Sequence, residues 1–467
     1  MTSPSLVGTA TAAQVAVKQA RFIRKLTALI SGGSFIDGFI LGGIGIVMPA
    51  ITTGLSLTTG WQGLIGASAL FGTFFGGPLG GYLADRIGRR PMFTIDLLTF
   101  LIGSIAQFFV ADAWQLFAVR LFMGMAIGAD YAIGWPLLAE FAPARVRGKL
   151  LCVQEVGWYA GFLASYAAGW ALTISHAANW NVILGLSTLP TLVVLLLRIG
   201  TPESPRWLMS KGRDVEATEL AREYMQVEDL QDLHAPTKGK TGFGRLFSSD
   251  YRKTTFFVCV FWVCTVTPYF AIGTFAPLVL EELGVHDGLT GGLVLNALAW
   301  IGTIVAMFLV ERVGRRKLSI TAMYISFVSL SLVGFLAHSQ PTLMVVCILV
   351  FTFANTIPSA LTGVYPVEVF PTEIRGTGVG FAAAVSRIGA AGGTFLLPLA
   401  IKAYGTSATL LVAAGICLFG AVVTHWLAPE TKGKHLSEIA SSKDEAGGLS
   451  DTLAAAAEDA SAAYFVH

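Results

Sequence analysis

Long apolar stretches alternate with short polar intervals along nearly the whole chain. The apolar runs occupy 27–51, 61–83, 92–111, 114–137, 151–174, 179–200, 254–280, 288–310, 318–337, 342–364, 377–401 and 407–427. Each is close to the ~20 residues that an α-helix needs to cross a ~30 Å hydrocarbon core. Backbone groups in lipid must be hydrogen-bonded within their own segment, so the runs predict twelve transmembrane helices.

Composition supports lipid as the surroundings. Hydrophobic residues make up 54% of the 467 residues and charged residues 13%, whereas a soluble domain carries about 25% charged residues. The net charge is +2 and no dense basic stripe occurs, which argues against a nucleic-acid partner.

Basic residues predict the orientation. They concentrate in the N-terminal arm and in alternate loops, while the opposite loops carry only Lys402. By the positive-inside rule, both termini and the 201–253 loop are cytoplasmic. The first 25 residues are polar and the next apolar run is too long for a signal peptide. We expect a multi-pass protein of a bacterial inner (plasma) membrane.

Enzymatic and metal chemistry find little support. The five cysteines lie in apolar runs, where packing is their expected role, and the histidines form no ligand spacing. Lys238–Thr241 (KGKT) lacks the glycine that a phosphate-binding loop needs, because position 234 is His. We expect no metal, no cofactor and no enzymatic activity.

An internal repeat divides the chain into two halves. The segment Asp85–Arg90 (DRIGRR) recurs as Glu311–Arg316 (ERVGRR), 226 residues later. The predicted organisation is an arm (1–25), a six-helix half (26–200), a linker (201–253), a second six-helix half (254–428) and a tail (429–467). Parallel halves with a central substrate site are a known transporter plan.

Four motifs carry a family resemblance. They are Gly81–Arg90 (GYLADRIGRR), Glu140–Leu150 (EFAPARVRGKL) after Arg120, Pro202–Leu208 (PESPRWL) and Pro429–Gly433 (PETKG). On these motifs the chain resembles the sugar-porter-like branch of the major facilitator superfamily. The resemblance implies an all-α membrane protein of two pseudo-symmetric six-helix halves, which works as a monomeric secondary transporter by alternating access.

Acids accompany bases at the cytoplasmic helix ends. The resemblance implies that they form ion pairs that keep the cytoplasmic side closed. Glu203, Arg206, Glu430 and Lys432 are expected to join the same network. The alternative is ordinary flanking charge. The gate candidates are Asp85, Arg89, Arg90, Glu140, Arg147, Glu311, Arg315, Arg316, Glu368 and Arg375.

Charges inside the apolar runs indicate function. Asp37, Asp130, Glu155 and Arg120 lie within predicted spans, as does Arg387. An ionisable side chain at this depth should face the bundle interior or water. Buried carboxylates suit proton uptake and release, so these residues predict proton coupling. A static interior pair, such as an acid with Arg120, is the structural alternative.

Departures from the sugar-porter pattern bear on the substrate. Glu155 stands where sugar porters have a substrate-binding Gln, and 265–277 lacks their paired Gln residues, which argues against a plain hexose. Segment 128–131 (GADY) is similar to the GGDY of phosphate–proton symporters, but Ile40 replaces their second acid. Segment 37–39 (DGF) looks like the first span of carriers for aromatic acids and other metabolites.

Polar and aromatic residues within the spans are candidates for the substrate site. They are Tyr131, Gln154, Glu155, Trp158, Trp262, Tyr269, Asn296, Asn355 and Thr356. Sites for small molecules are mostly apolar with a few placed polar groups. Packing or interfacial anchoring is the alternative for each aromatic residue.

The expected function is proton symport of a small polar organic metabolite, such as an organic or aromatic acid, a sugar or a polyol. A proton-antiport exporter, a facilitative uniporter and, less favoured, a phosphate–proton symporter remain open. A non-transporting receptor would need a large regulatory domain at a terminus, and 441–467 is a short Ala/Ser-rich tail.

Overall fold

A computed structural model describes residues 12–142, 146–198, 203–224, 243–283, 287–336, 341–370 and 372–432. The first half of the chain is helical throughout. Its helices are α1 (Ala12–Gly54), α2 (Thr59–Ile87), α3 (Arg89–Ala106), α4 (Ala113–Phe141), α5 (Arg147–Ile174), α6 (Trp180–Gly185) and α7 (Thr188–Arg198).

The linker and the second half are helical too. In the linker are α8 (Pro205–Ser210), α9 (Asp214–Tyr224) and a 3-10 turn (Phe243–Phe247). The second half contains α10 (Arg252–Thr274), α11 (Ala276–Glu282), α12 (Gly288–Val313), α13 (Arg315–Leu336), α14 (Pro341–Ser359), α15 (Val364–Val369) and α16 (Thr372–Leu427).

The helices confirm the twelve predicted spans. Ten helical segments in the described residues are long and apolar enough to cross a membrane. One of them, α16, holds two spans, which meet where Gly405 adopts a φ of 81°. Helix α5 adds the twelfth: its 28 residues are long enough to cross a membrane, although its Tyr, Trp and Gly residues make it less apolar than the other spans.

Two elements differ from the predicted spans. The seventh span is interrupted at Phe275, between α10 and α11, and Pro277 stands at the start of α11, where a proline is tolerated. Helix α1 begins at Ala12, well before its apolar run. Its polar end is held by α9, since Lys18 Nζ lies 2.6 Å from Glu223 Oε1. This bond lowers the pKa of Glu223 below its ordinary value.

The two halves meet along two helix pairs, α2 with α16 and α5 with α12. Glycine allows the close approach: Gly63 on α2 lies against the Phe395 carbonyl of α16, with no room for a Cβ atom. Trp170 Nε1 also donates to Thr290 Oγ1 at 3.0 Å, joining α5 to α12. The end of the bundle beside α8 and α9 is called the linker side below, and the opposite end the far side.

Candidate functional site

A small cavity of about 30 Å³ lies between the halves at the centre of the bundle. This volume holds a water molecule or two and no solute of metabolite size. The structure is therefore closed around the centre. The lining residues are Tyr131, Trp135, Glu155, Trp158, Tyr159, Trp262, Val266, Tyr269, Phe270, Ser359, Thr362 and Arg387.

A stack of three aromatic rings crosses from one half to the other. Tyr131 and Trp135 of α4 stack at 5.4 Å with an interplanar angle of 9°. Trp135 then stacks on Trp262 of α10 at 5.3 Å and 29°. Offset stacks of this kind are stabilising beyond the area they bury. Separation of the halves at this level requires the Trp135–Trp262 contact to break.

Two charged side chains from opposite halves line the cavity. Glu155 comes from α5 and Arg387 from α16. Arg387 is 3% exposed, and neither Nε nor Nη1 has a hydrogen-bond partner among the described residues. Its guanidinium carbon lies 5.3 Å from the ring centre of Tyr131 and 5.5 Å from that of Phe270. The ring faces favour the cation but leave its N–H donors available.

Five of the nine predicted substrate candidates line the cavity: Tyr131, Glu155, Trp158, Trp262 and Tyr269. They come from α4, α5 and α10, so the structure brings residues of both halves together. The indole N–H of Trp158 donates to the Tyr131 hydroxyl at 3.1 Å. The lining residues Trp135 and Phe270 are further aromatic side chains that the sequence reading did not select.

The remaining four candidates do not line this cavity. Gln154 faces α4, where its amide approaches Gly134. Asn296 donates to the Gly292 carbonyl of its own helix at 2.9 Å. Thr356 donates to its own helix and packs against α12. Asn355 is 2% exposed, and its side-chain oxygen has no partner among the described residues. Helix α14 instead presents Ser359 to the cavity.

Asp37 and Arg120 lie at adjacent depths in the bundle, but among the described residues they do not form an ion pair. Asp37 on α1 is fully buried, and neither carboxylate oxygen has a hydrogen-bond partner among the described residues. Arg120 on α4 is equally buried and donates from Nη1 to the Ile40 carbonyl at 3.3 Å. Within the described residues, the interior pair of an acid with Arg120 is not formed.

Asp130 lies in a charged cluster that sequence reading missed. Arg198 Nη2 of α7 is 3.5 Å from Asp130 Oδ1, and its Nη1 is 3.9 Å from Asp96 Oδ1 of α3. Phe93 covers the guanidinium at 3.9 Å from its ring centre. Gly33 of α1 packs directly against the cluster, since a Cβ atom at this position would lie 3.0 Å from Asp130 Oδ2. Asp96 was readable as an acid in an apolar run, whereas Arg198 resembles an ordinary flanking charge.

On the linker side of the second half, one arginine holds two glutamates. Arg315 Nη1 lies 2.7 Å from Glu311 Oε2, and its Nη2 lies 3.0 Å from Glu368 Oε1. Thr431 also donates to Glu368 Oε2 at 2.6 Å. Arg375 donates from Nε to the Val367 carbonyl at 2.8 Å. The structure thus joins Glu368 to the repeated ERVGRR segment.

This cluster forms the contact with the first half. A Cβ atom on Gly148 of α5 would lie 2.5 Å from Arg315 Nη2 and 2.6 Å from Glu311 Oε1. The start of α5 therefore packs directly on the Arg315–Glu311 pair. Arg147 beside it is buried. The side chains of Asp85 and Glu140, also predicted in the gate, lie outside the described residues.

A carboxylate caps the helix that follows the repeated motif in the first half. Glu203 accepts the main-chain N–H groups of Arg89 and Arg90, at 3.0 and 3.1 Å. Gly88 precedes them with a φ of 104°, and a Cβ there would lie 2.7 Å from Glu203 Oε2. Only glycine meets both demands, and the negative charge suits a helix N-terminus.

The second half repeats this cap. Glu430 accepts the N–H groups of Arg315 and Arg316 at 3.0 and 3.1 Å. Gly314 has a φ of 95°, and a Cβ there would lie 2.6 Å from Glu430 Oε2. Arg316 further donates to the His425 carbonyl at 2.7 Å. The PESP and PETK segments are thus structurally equivalent.

A second, larger cavity lies toward the far side. Its volume is about 300 Å³, and it separates α1 and α2 of one half from α11 of the other. Its lining residues are Gly45, Met48, Pro49, Thr52, Gln62, Phe275, Pro277, Leu278 and Glu281. Unlike the central cavity, it has room for a small solute.

Comparisons with known proteins agree with this architecture. A family model described as "Sugar (and other) transporter" matches residues 7–442. The chain is 38% identical over 412 residues to the inner membrane metabolite transport protein YgcS of Escherichia coli K12, covering 88% of this chain and 92% of that protein. It is 28% identical over 449 residues to the arabinose-proton symporter of the same strain, covering 90% and 94%.

Solved structures show the same fold. The proton:xylose symporter XylE bound to 6-bromo-6-deoxy-D-glucose, a protein of E. coli, superposes with a TM-score of 0.80 at 21% sequence identity. The match covers 91% of this chain and 99% of that chain. The likeness shows the two-half major facilitator fold.

Proposed function

Because the chain belongs to the family of sugar (and other) transporters, and so is a membrane transporter, we propose that it imports a small polar organic metabolite together with protons. The observation that carries the proposal is the central cavity, which Glu155 and Arg387 line from opposite halves among aromatic rings. A solute bound there contacts both halves at once. Movement of the halves then exposes it to one side or the other.

Contacts on both sides of the cavity support alternating access. Gly148 packs on Arg315 on the linker side, and Trp170 bonds Thr290 on the far side. Each set must break in turn for the solute to pass. In this proposal Arg315, Glu311 and Glu368 belong to the gate on the linker side, which faces the cytoplasm.

Carboxylates inside the spans support coupling to protons. Asp37, Asp130 and Glu155 lie in α1, α4 and α5, and Arg120 places a buried positive charge beside α1. An unpaired carboxylate is costly to bury in its charged form. We assign proton binding to these acids, with Arg120 adjusting the charge around Asp37.

Three alternatives share the same fold. A proton-antiport exporter would use the same acids with the opposite direction of accumulation. A uniporter would move solute without protons. Phosphate is disfavoured because Ile40 replaces an acid of the phosphate carriers and is buried in the core.

Reconstitution separates these alternatives. Candidate solutes are first selected by whether they raise the melting temperature of the purified protein, since a ligand stabilises the state it binds. The selected solutes are then added to proteoliposomes that enclose a pH-sensitive dye. Symport predicts lumenal acidification when an uncharged solute is added outside. Alkalinisation would indicate antiport, and solute entry without a pH change would indicate uniport. Liposomes without protein correct for passive entry of weak acids.

A further inference from the structure

We propose that the solute is a small carboxylic acid with a planar apolar body, bound as its anion by Arg387 only when Glu155 carries a proton. This inference rests on the proposed function and adds the substrate class. It assigns Arg387 as the residue that determines specificity, and it assigns Glu155 as the group that links the anion to one proton.

Arg387 is buried and has N–H donors available for an anion. Its side chain is 3% exposed, lines the central cavity, and leaves Nε and Nη1 without a partner among the described residues. Each edge of a guanidinium presents two N–H donors as a fork that matches the two oxygens of a carboxylate, and Nε and Nη1 each share such an edge with Nη2. A buried polar group without a partner is costly, so these donors are available to an acceptor that enters the cavity.

The walls of the central cavity are mostly aromatic. Tyr131, Trp158, Trp262, Tyr269 and Phe270 surround the charged pair with aromatic rings. The Ser359 and Thr362 hydroxyls already donate to main-chain carbonyls, and the Tyr131 hydroxyl accepts from Trp158. In the described lining this leaves chiefly the Tyr159 and Tyr269 hydroxyls for a polyol, whose many hydroxyls each need a partner when buried. A planar ring between these walls needs partners only for its carboxylate.

The charges in the central cavity must balance when an anion binds there. Glu155 and Arg387 interact electrostatically. Asp37 and Tyr131 also interact electrostatically with Arg387. When Glu155 is ionised, its charge and that of Arg387 cancel within the cavity. An added anion would leave one uncompensated negative charge in an apolar site, which is costly. A proton taken up by Glu155 restores neutrality, so anion and proton bind as a pair without any covalent step.

Binding also requires a wider site. The central cavity of about 30 Å³ excludes an aromatic acid, whereas the far-side cavity of about 300 Å³ admits one. The anion therefore enters from the far side after the rings around Arg387 separate. The closed structure corresponds to a stage at which the two halves have already come together.

The test compares each acid with its uncharged amide on purified full-length protein. Benzoate and nicotinate, but neither benzamide nor nicotinamide nor D-xylose, should raise the melting temperature. Arg387→Gln should remove the shift, and Arg387→Lys, which keeps the charge without the fork, should weaken binding at least tenfold. Lys402→Gln removes an exposed charge from the same helix and should bind like the wild type.

Proton uptake tests the coupling. In weakly buffered solution at pH 9, so that Glu155 starts ionised, benzoate binding should remove about one proton per site from solution in the wild type and in Lys402→Gln. Glu155→Gln should bind benzoate with no proton uptake. The inference is overturned if neither acid binds, if the amides bind equally, or if Arg387→Gln and Arg387→Lys bind like the wild type.

These outcomes separate the inference from the function beneath it. If D-xylose is carried with protons and the acids do not bind, the proposed symport stands and the carboxylate site is wrong. The acids could also bind as expected while proteoliposomes acidify no more than liposomes without protein. The carboxylate site would then stand, and the proposed symport would be wrong. Proton uptake that Glu155→Gln leaves unchanged would show that another acid holds the coupled proton, which overturns the role of Glu155.

Discussion

Nη2 of Arg198 lies 3.5 Å from Oδ1 of Asp130, and this contact joins the last helix of the first half to α4. Asp96 shares the same guanidinium at 3.9 Å. Two carboxylates with one base leave an uncompensated charge in a buried cluster unless one acid holds a proton. Because neither contact is short, the cluster suits exchange of that proton better than permanent pairing.

Neutralising the buried acids should uncouple transport. Asp37→Asn and Asp130→Asn should each abolish accumulation against a gradient while sparing solute exchange at equal concentrations, because exchange needs no net proton movement. Uphill uptake and exchange in the same proteoliposomes are the measurements. Full accumulation in both variants would remove these two acids from proton coupling.

Removing the shared base should destabilise the first half. Arg198→Met leaves Asp96 and Asp130 without their cation, and breaking a buried pair in this way costs about 3–5 kcal/mol. Adding Asp96→Asn and Asp130→Asn should recover most of the lost melting temperature. Lys317→Met, at an exposed position of α13, is the matched control and should melt like the wild type. Equal melting of Arg198→Met and the control would show that the cluster contributes nothing to stability.

The linker-side contact should control access from that side. Gly148→Ala places a methyl group against Arg315 and Glu311, so the closed arrangement should lose population. Cys152 is a native reporter, since it is fully buried with Sγ 3.5 Å from the Ala360 carbonyl of the other half. With the other four cysteines replaced by alanine, a permeant maleimide should label Cys152 several-fold faster in Gly148→Ala.

Gly380→Ala is the control for that variant, because a Cβ at Gly380 meets nothing within 4 Å. Its labelling rate should equal that of the parent protein. Asp85→Asn with Glu311→Gln should also speed labelling and reduce transport while membrane abundance stays near normal. Loss of abundance without faster labelling would mean that these charges serve insertion and that the gate assignment is wrong.

The helix caps should depend on glycine for two separable reasons. Gly405→Ala imposes a positive φ on alanine in open space, which costs about 1–3 kcal/mol. Gly314→Ala adds a clash with Glu430, and loss of the cap should cost a further ~0.5–2 kcal/mol. Thermal melting of both variants checks the difference. If Gly314→Ala melts at or above the temperature of Gly405→Ala, Glu430 does not stabilise α13.

Long-range patterns in the sequence predicted the large features. Hydropathy marks spans of ~20 residues because the hydrocarbon core demands that length. The repeated DRIGRR and ERVGRR segments predicted equivalent halves, and the caps at Glu203 and Glu430 bear this out. Motifs of this kind are legible because their residues are close in sequence or repeat at one period.

The site was less legible because it depends on helix rotation and on partners from distant helices. Gln154 and Glu155 are adjacent in sequence, yet one faces α4 and the other lines the cavity, since one residue turns a helix by about 100°. Arg198 and Asp96 meet from α7 and α3, which no spacing in the sequence records. Arg387 was visible as a charge, but its unpartnered donors appear only when α16 is packed.

The two capping glutamates also constrain the order in which the chain can assemble. Glu203 follows the last helix of the first half, and Glu430 follows the last helix of the second. Each cap needs a residue that leaves the ribosome only after all six helices of its own half. The first half can therefore complete its cap before the second half exists, and domains do fold in this order during synthesis. Truncation just before residue 203 would deprive a finished helical half of the bond that fixes the start of α3.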